Sequence, residues 1–143
     1  MKINTVRFGE IEIDENRIFN FEMPIIGFNN LSKFVIVDTN KDSFFRWLQS
    51  LEDPSLAFPI VSVFSLEVNY SIDLPDNIVE KLKIENVESL LVMNIASIPQ
   101  DNPQGTTINL LAPIVFNIDK NIAGQVILSG SGYDISFPLF KSN

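Results

Sequence analysis

Apolar and polar positions along this chain alternate in short runs separated by turn residues, a strand-dominated pattern. Ile18-Phe19-Asn20-Phe21 sets Phe19 and Phe21 on one face of an extended segment. Phe34-Val35-Ile36-Val37 has no polar face, which predicts a strand covered on both sides or an inner strand of a closed barrel. The run from Val6 to Ile13 changes parity at Gly9, as a bulge or sharp bend would make it do. Ile60-Val61-Ser62-Val63-Phe64 follows Pro59, which lacks a ladder donor, so this strand is expected to start at an edge or a bulge. Ser89 to Ile98 reads as a long buried strand stopped by Pro99.

One stretch organises the rest. In Trp47-Leu48-Gln49-Ser50-Leu51, the residues Trp47, Gln49 and Leu51 share one side of an extended chain, and Leu48 and Ser50 share the other. Glu52-Asp53-Pro54-Ser55 then supplies a turn: Pro54 presets φ, and Asp53 can accept a hydrogen bond from the backbone two residues on. Leu56, Ala57 and Phe58 re-enter an apolar layer, completing a hairpin. A helix is predicted over 74–84, with Pro75 in its first turn, acids Asp76 and Glu80 ahead of Lys81 and Lys83, and Ile78 and Leu82 four residues apart. It is expected to plug one end of a β structure or cover an edge, and 84–88 could add a further turn. Breaker-rich turns are expected at 38–43, 100–105 and 129–134, with a returning strand at Gln125-Val126-Ile127-Leu128. No linker or repeat divides the chain, so 1–143 reads as a single domain. The predicted architecture is mainly β: a bent antiparallel β-barrel-like fold with one or two short helices.

Composition narrows the chemistry. The chain has neither Cys nor His. That removes disulfides, thiolate zinc sites, cysteine nucleophiles and any Ser-His-Asp triad. No cofactor is expected; a carboxylate hydrolase or an oxygen-ligated Mg²⁺ site stays open in principle. The net charge of −8 repels phosphate backbones, so direct nucleic-acid binding is not expected. The same charge suits a basic protein partner, although it also simply serves solubility. No apolar run reaches the roughly 18–20 residues that span a bilayer, and charges follow the first residues, so the expectation is a cytosolic protein without a membrane role.

Individual motifs have more than one reading. Glu52 and Asp53 are neighbours on an extended chain and point apart, which suits turn capping by Asp53 or partner contact better than paired-carboxylate catalysis. Trp47 fits a half-buried core position or a contact. Asn109 and Asn117, set among apolar residues, fit either backbone satisfaction around a bulge at Pro113 or interface donors. Gly130-Ser131-Gly132 lacks the Lys-Ser/Thr and the following helix of a phosphate loop.

The stretch from Trp47 to Phe58 closely resembles the signature of the FliW family, bacterial flagellar assembly factors. Thr107, Asn109, Leu110, Ala112, Pro113, Ile114 and Asn117 match a second family pattern, Thr-x-Asn-Leu-x-Ala-Pro-Ile-x-x-Asn. Arg7-Phe8-Gly9-x-Ile11 resembles the family's N-terminal pattern and Gln125-Val126-x-Leu128 its Gly-x-Gln-Val-x-Leu, while the stretch 21–28 keeps only Phe21, Gly27 and Phe28 of the usual pattern. The resemblance implies a non-enzymatic regulator with two exclusive partners. One is flagellin; the other is CsrA, a small basic dimer that represses translation of flagellin mRNA. The acidic surface is expected to meet CsrA through Glu52, Asp53 and Leu56, together with the region carrying Asn109, Leu110 and Pro113. The alternative from another class is a small β-barrel holding an apolar ligand, suggested by the many Phe residues.

Overall fold

The computed structural model describes residues 1–38, 45–66 and 68–140. The turn expected at 38–43 therefore lies, from residue 39 on, outside the described residues. β1 (Lys2–Thr5) and β2 (Gly9–Glu12) form a separate two-stranded arm. The main sheet holds β3 (Ile18–Met23), β4 (Lys33–Val37), β5 (Phe45–Ser50), β6 (Ala57–Val61) and β7 (Leu90–Ser97). It continues with β8 (Thr107–Ile108), β9 (Ile114–Asn117), β10 (Ile122–Gln125) and β11 (Phe137–Pro138). The order β7-β6-β5-β4-β3-β10-β9 closes because β9 also pairs with β7, giving a seven-stranded barrel to which β8 and β11 are appended. Closure leaves fewer open edges. Among the described pairs all are antiparallel except β3 with β10, which refines the all-antiparallel expectation.

The interior takes the face that the alternation marked in β3 and adds residues of β4 and β9 to it. Phe19, Phe21, Phe34 and Phe116 are buried together. Phe19 meets Phe116 edge-on at 4.9 Å, and Phe21 meets Phe34 at 5.0 Å. Such offset geometries suit the ring quadrupoles better than face-to-face stacking. A second cluster, with Val61, Tyr70, Leu82, Leu110 and Leu128, fills the space under the helix and the long loops.

Several local expectations shift. Of the two readings at Gly9 the sharp bend holds: with φ +70° it follows the turn of the β1–β2 arm, where Thr5 pairs with Gly9. Pro59 lies inside β6 rather than ahead of it, opposite Trp47. The bond from Ser50 N–H to Leu56 C=O makes the even residues of β6 face β5, so Pro59 sits at a non-hydrogen-bonded pair. Its missing donor would point toward β7, whose ladder with β6 begins only at Ile60. The helix shortens to α1 (Asp76–Lys81), and Lys83 at φ 52° ends it in the left-handed region. A 3₁₀ turn at Val87–Ser89 supplies the further turn. The return strand begins at Ile122, three residues earlier than expected, because its ladder with β9 starts at Asn117.

Candidate functional site

The hairpin from β5 to β6 is held from beneath. Gln49 is fully buried, and its Nε2 donates to the carbonyls of Ser50, Pro54 and Leu56 at 3.0, 3.3 and 3.1 Å. Those carbonyls fix the amide's orientation, since the reverse would set oxygen against oxygen. Ser50 Oγ accepts from the N–H of Glu52 and of Asp53 at 3.1 and 2.9 Å. Leu56 is half-buried against the aromatic cluster. The turn is thus anchored inward while its polar side chains stay outside.

The two acids have separate tasks. Asp53 accepts from Ser55 N–H at 3.0 Å and from the Ser55 hydroxyl at 2.7 Å, the turn geometry expected of it. Glu52 reaches away from the turn. Its Oε1 accepts from the N–H of Lys33 at 2.8 Å and of Ser32 at 2.6 Å, fastening the turn to the start of β4. Those backbone donors, Lys33 first, hold the Glu52 carboxyl below its usual range; the Ser55 hydroxyl and N–H do the same for Asp53. Both are set to stay ionised at neutral pH, the reverse of the raised pKa that a general acid needs.

The arm completes the surface, a feature the local pattern of Val6–Ile13 did not reveal. Val6 N–H donates to Pro54 C=O at 2.9 Å. The Arg7 guanidinium sits 4.2 Å above the Trp47 ring, and Phe8 meets Trp47 edge-on at 5.9 Å. Trp47 is therefore half-buried under the arm. Two stretches that carry the family resemblance, around Arg7 and from Trp47 onward, meet in space. A cue existed in the sequence, an Arg-Phe pair and a lone Trp, but nothing local said that they touch.

The other predicted residues face inward. Opposite Asn94 and Ile95 of β7, between the pairs Ala96↔Ile108 and Met93↔Ile114, the partner strand carries the five residues 109–113. This is the break expected at Pro113. Asn109 Oδ1 accepts from Ala112 N–H at 3.0 Å, closing the bulge as one of its readings proposed. Asn117 does something else: its Nδ2 donates to the carbonyls of Leu82 and Lys83 and caps the end of α1. Leu110 is only 3% exposed and Pro113 is buried, so neither offers a side chain to a partner in this conformation. Register separates the two regions as well. Ile60 and Asn109 both lie against Ile95, four residues of β6 beyond Leu56 or about 13 Å along the strand, and the chain leaves Asn109 heading further away.

Among the described residues no three of His, Cys, Asp and Glu are grouped to hold a metal ion. No helix among them is long and apolar enough to cross a membrane.

Comparison with known proteins places this geometry. Residues 2–139 match the family described as FliW protein. The flagellar assembly factor FliW of Caldicellulosiruptor saccharolyticus is 42% identical over 135 residues, covering 94% of this chain and 88% of its own. That of Thermosipho africanus is 41% identical over 139 residues, covering 97% and 95%. A crystal structure of the flagellar assembly factor FliW superposes with a TM-score of 0.90 at 37% identity, over 99% of both chains.

Proposed function

This chain belongs to the FliW family of flagellar assembly factors, and on that premise we propose that it is a non-enzymatic cytoplasmic regulator that switches between two protein partners. It binds flagellin while flagellin accumulates. Once flagellin is exported it binds CsrA and relieves repression of flagellin mRNA translation. Antagonism from a site apart from the RNA-binding site is a coupling between two sites, and it is reciprocal: RNA weakens this protein's affinity for CsrA by the same factor.

The observation that supports this reading best is the surface where the arm meets the β5–β6 turn. There Asp53 and Glu52, held ionised, stand beside exposed Val6 on backbone pinned from below by Gln49 and Ser50. Rigid, charged and partly apolar, such a surface suits protein recognition. A net charge of −8 suits a basic CsrA dimer. Of the residues expected at the interface, Glu52, Asp53 and Leu56 form the proposed contact. Asn109, Leu110 and Pro113 hold their own bulge and stand outside that contact.

Calorimetric titration against CsrA and flagellin from the same organism, followed by competition, tests the switch. Mutually exclusive binding is expected; binding to neither sinks it. Asp53→Lys combined with Glu52→Lys is expected to slow association with CsrA and flatten its salt dependence. Unchanged affinity and salt dependence would move the interface elsewhere.

A further inference from the structure

Beyond Gln125 one edge of the barrel stays open, and it faces a surface groove of about 680 Å³. On the β9 side the chain remains paired: Val126 N–H donates to Pro113 C=O at 2.9 Å and Leu128 N–H to Leu111 C=O at 2.8 Å. These bonds turn the even residues toward β9, so the backbone of Ile127 points the other way. β3 fills that other side only as far as Met23, opposite Gly124, after which Pro24 leads its chain out of the ladder. The Ile127 N–H and C=O are left with no hydrogen-bond partner among the described residues, and its side chain is 54% exposed. Across the groove runs the segment 71–75. Its Ser71 is pinned at both N–H and C=O by the Tyr133 hydroxyl, at 2.9 and 3.1 Å. Met23, Ile78 and Leu128 make the lining apolar, and the carboxylate of Asp73 is the one charge among the described lining residues.

An unpaired strand edge is a template for another strand, and natural proteins usually blunt such edges with lysines. Here the one charge among the described lining residues is an acid, which repels like charge and attracts cations. We propose that this groove takes an extended segment of a protein partner, added as a strand beside Ile127, with apolar side chains toward Met23 and Ile78 and a basic residue opposite Asp73. Main-chain bonds to Ile127 supply affinity, and the groove's acid and apolar lining supply selectivity. The proposal rests on the reading of this chain as a partner-binding protein, but it assigns a second surface, separate from the β5–β6 turn.

The test is titration with a short peptide alternating Lys and Val, alongside its Glu and Val counterpart, while following amide exchange by NMR. Exchange at Ile127 is expected to slow with the Lys peptide, and the Glu peptide is expected to bind roughly tenfold more weakly. Ile127→Pro removes the donor without breaking an internal hydrogen bond. Affinity should fall about fivefold while melting stays unchanged. If that variant unfolds, a peptide N-methylated on its ladder-facing amides asks the same question of the intact protein. An Ile127 amide that does not respond, or equal binding of both peptides, overturns the proposal. Failure of the CsrA and flagellin titrations would instead sink the partner switch and leave this result standing.

Discussion

The turn after β5 and the bulge between β8 and β9 both depart from strand geometry, and each is anchored by a buried amide side chain on a neighbouring strand position. Gln49 donates to three carbonyls of the turn; Asn94 donates to Asn109 C=O at 2.9 Å and to the Tyr70 hydroxyl at 3.2 Å. Each amide leaves its own oxygen without a partner among the described residues, Gln49 Oε1 and Asn94 Oδ1. The outcomes differ. The turn presents Glu52, Pro54 and Ser55 to solvent, while the bulge buries Leu110, Ala112 and Pro113. Two stretches that resemble the same family equally well therefore do different physical work: one displays side chains, and the other locks the barrel. A motif's strength says that its residues matter and leaves open whether they face a partner or the core.

Removing the amides should give the largest effects. Gln49→Ala is expected to cost about 3 kcal/mol in urea unfolding, since it opens a cavity and strips donors from the turn. Asn94→Ala should cost about 2 kcal/mol, because the Tyr70 hydroxyl keeps its bond to Leu110 C=O at 2.7 Å. A larger loss for Asn94 than for Gln49 would reverse the ranking. Under the proposed partner switch, binding should separate them further: at equal fraction folded, the Gln49 variant is expected to lose affinity for CsrA while the Asn94 variant keeps it. Next comes Asn109→Ala, at about 1 kcal/mol from the lost bond to Ala112 N–H, with partner affinity unchanged.

The smallest effects lie in pH, and their signs are opposite. Glu52 is held below its usual range by the N–H groups of Lys33 and Ser32. Its contribution is present above the unfolded carboxylate value and is lost as pH falls through the lower folded value. Tyr70 is pushed up by burial, partly offset by the bond from Asn94. Its contribution is present below the unfolded phenol value and is lost as pH rises through the higher folded one. Glu52→Gln should flatten the acid limb of a stability profile, and Tyr70→Phe the alkaline limb. If each variant flattened the other limb, the assignment of the two regions would fail.

Much of this protein was decided locally. The period-2 run placed β3 and the continuous apolar runs placed β4 and β7, because the face pattern of a strand follows from backbone geometry and from how many of its faces are covered. Asp53 and Pro54 specified the turn at 51–56, and Pro113 the break in the β8–β9 strand, because ring closure and short polar side chains act within a few residues. The family resemblance was legible for the same reason, in contiguous words. What only the tertiary structure decided involves distant residues. Glu52 reaches the start of β4, and Asn117 caps α1 instead of its own bulge. β10 slots parallel to β3, leaving the edge at Ile127 open, and Leu110 turns inward. Arg7 covers Trp47, forty residues further along the chain. A linear pattern gives each residue's face relative to its own strand. Which neighbour that face meets, and whether water reaches it, is fixed only when the barrel closes.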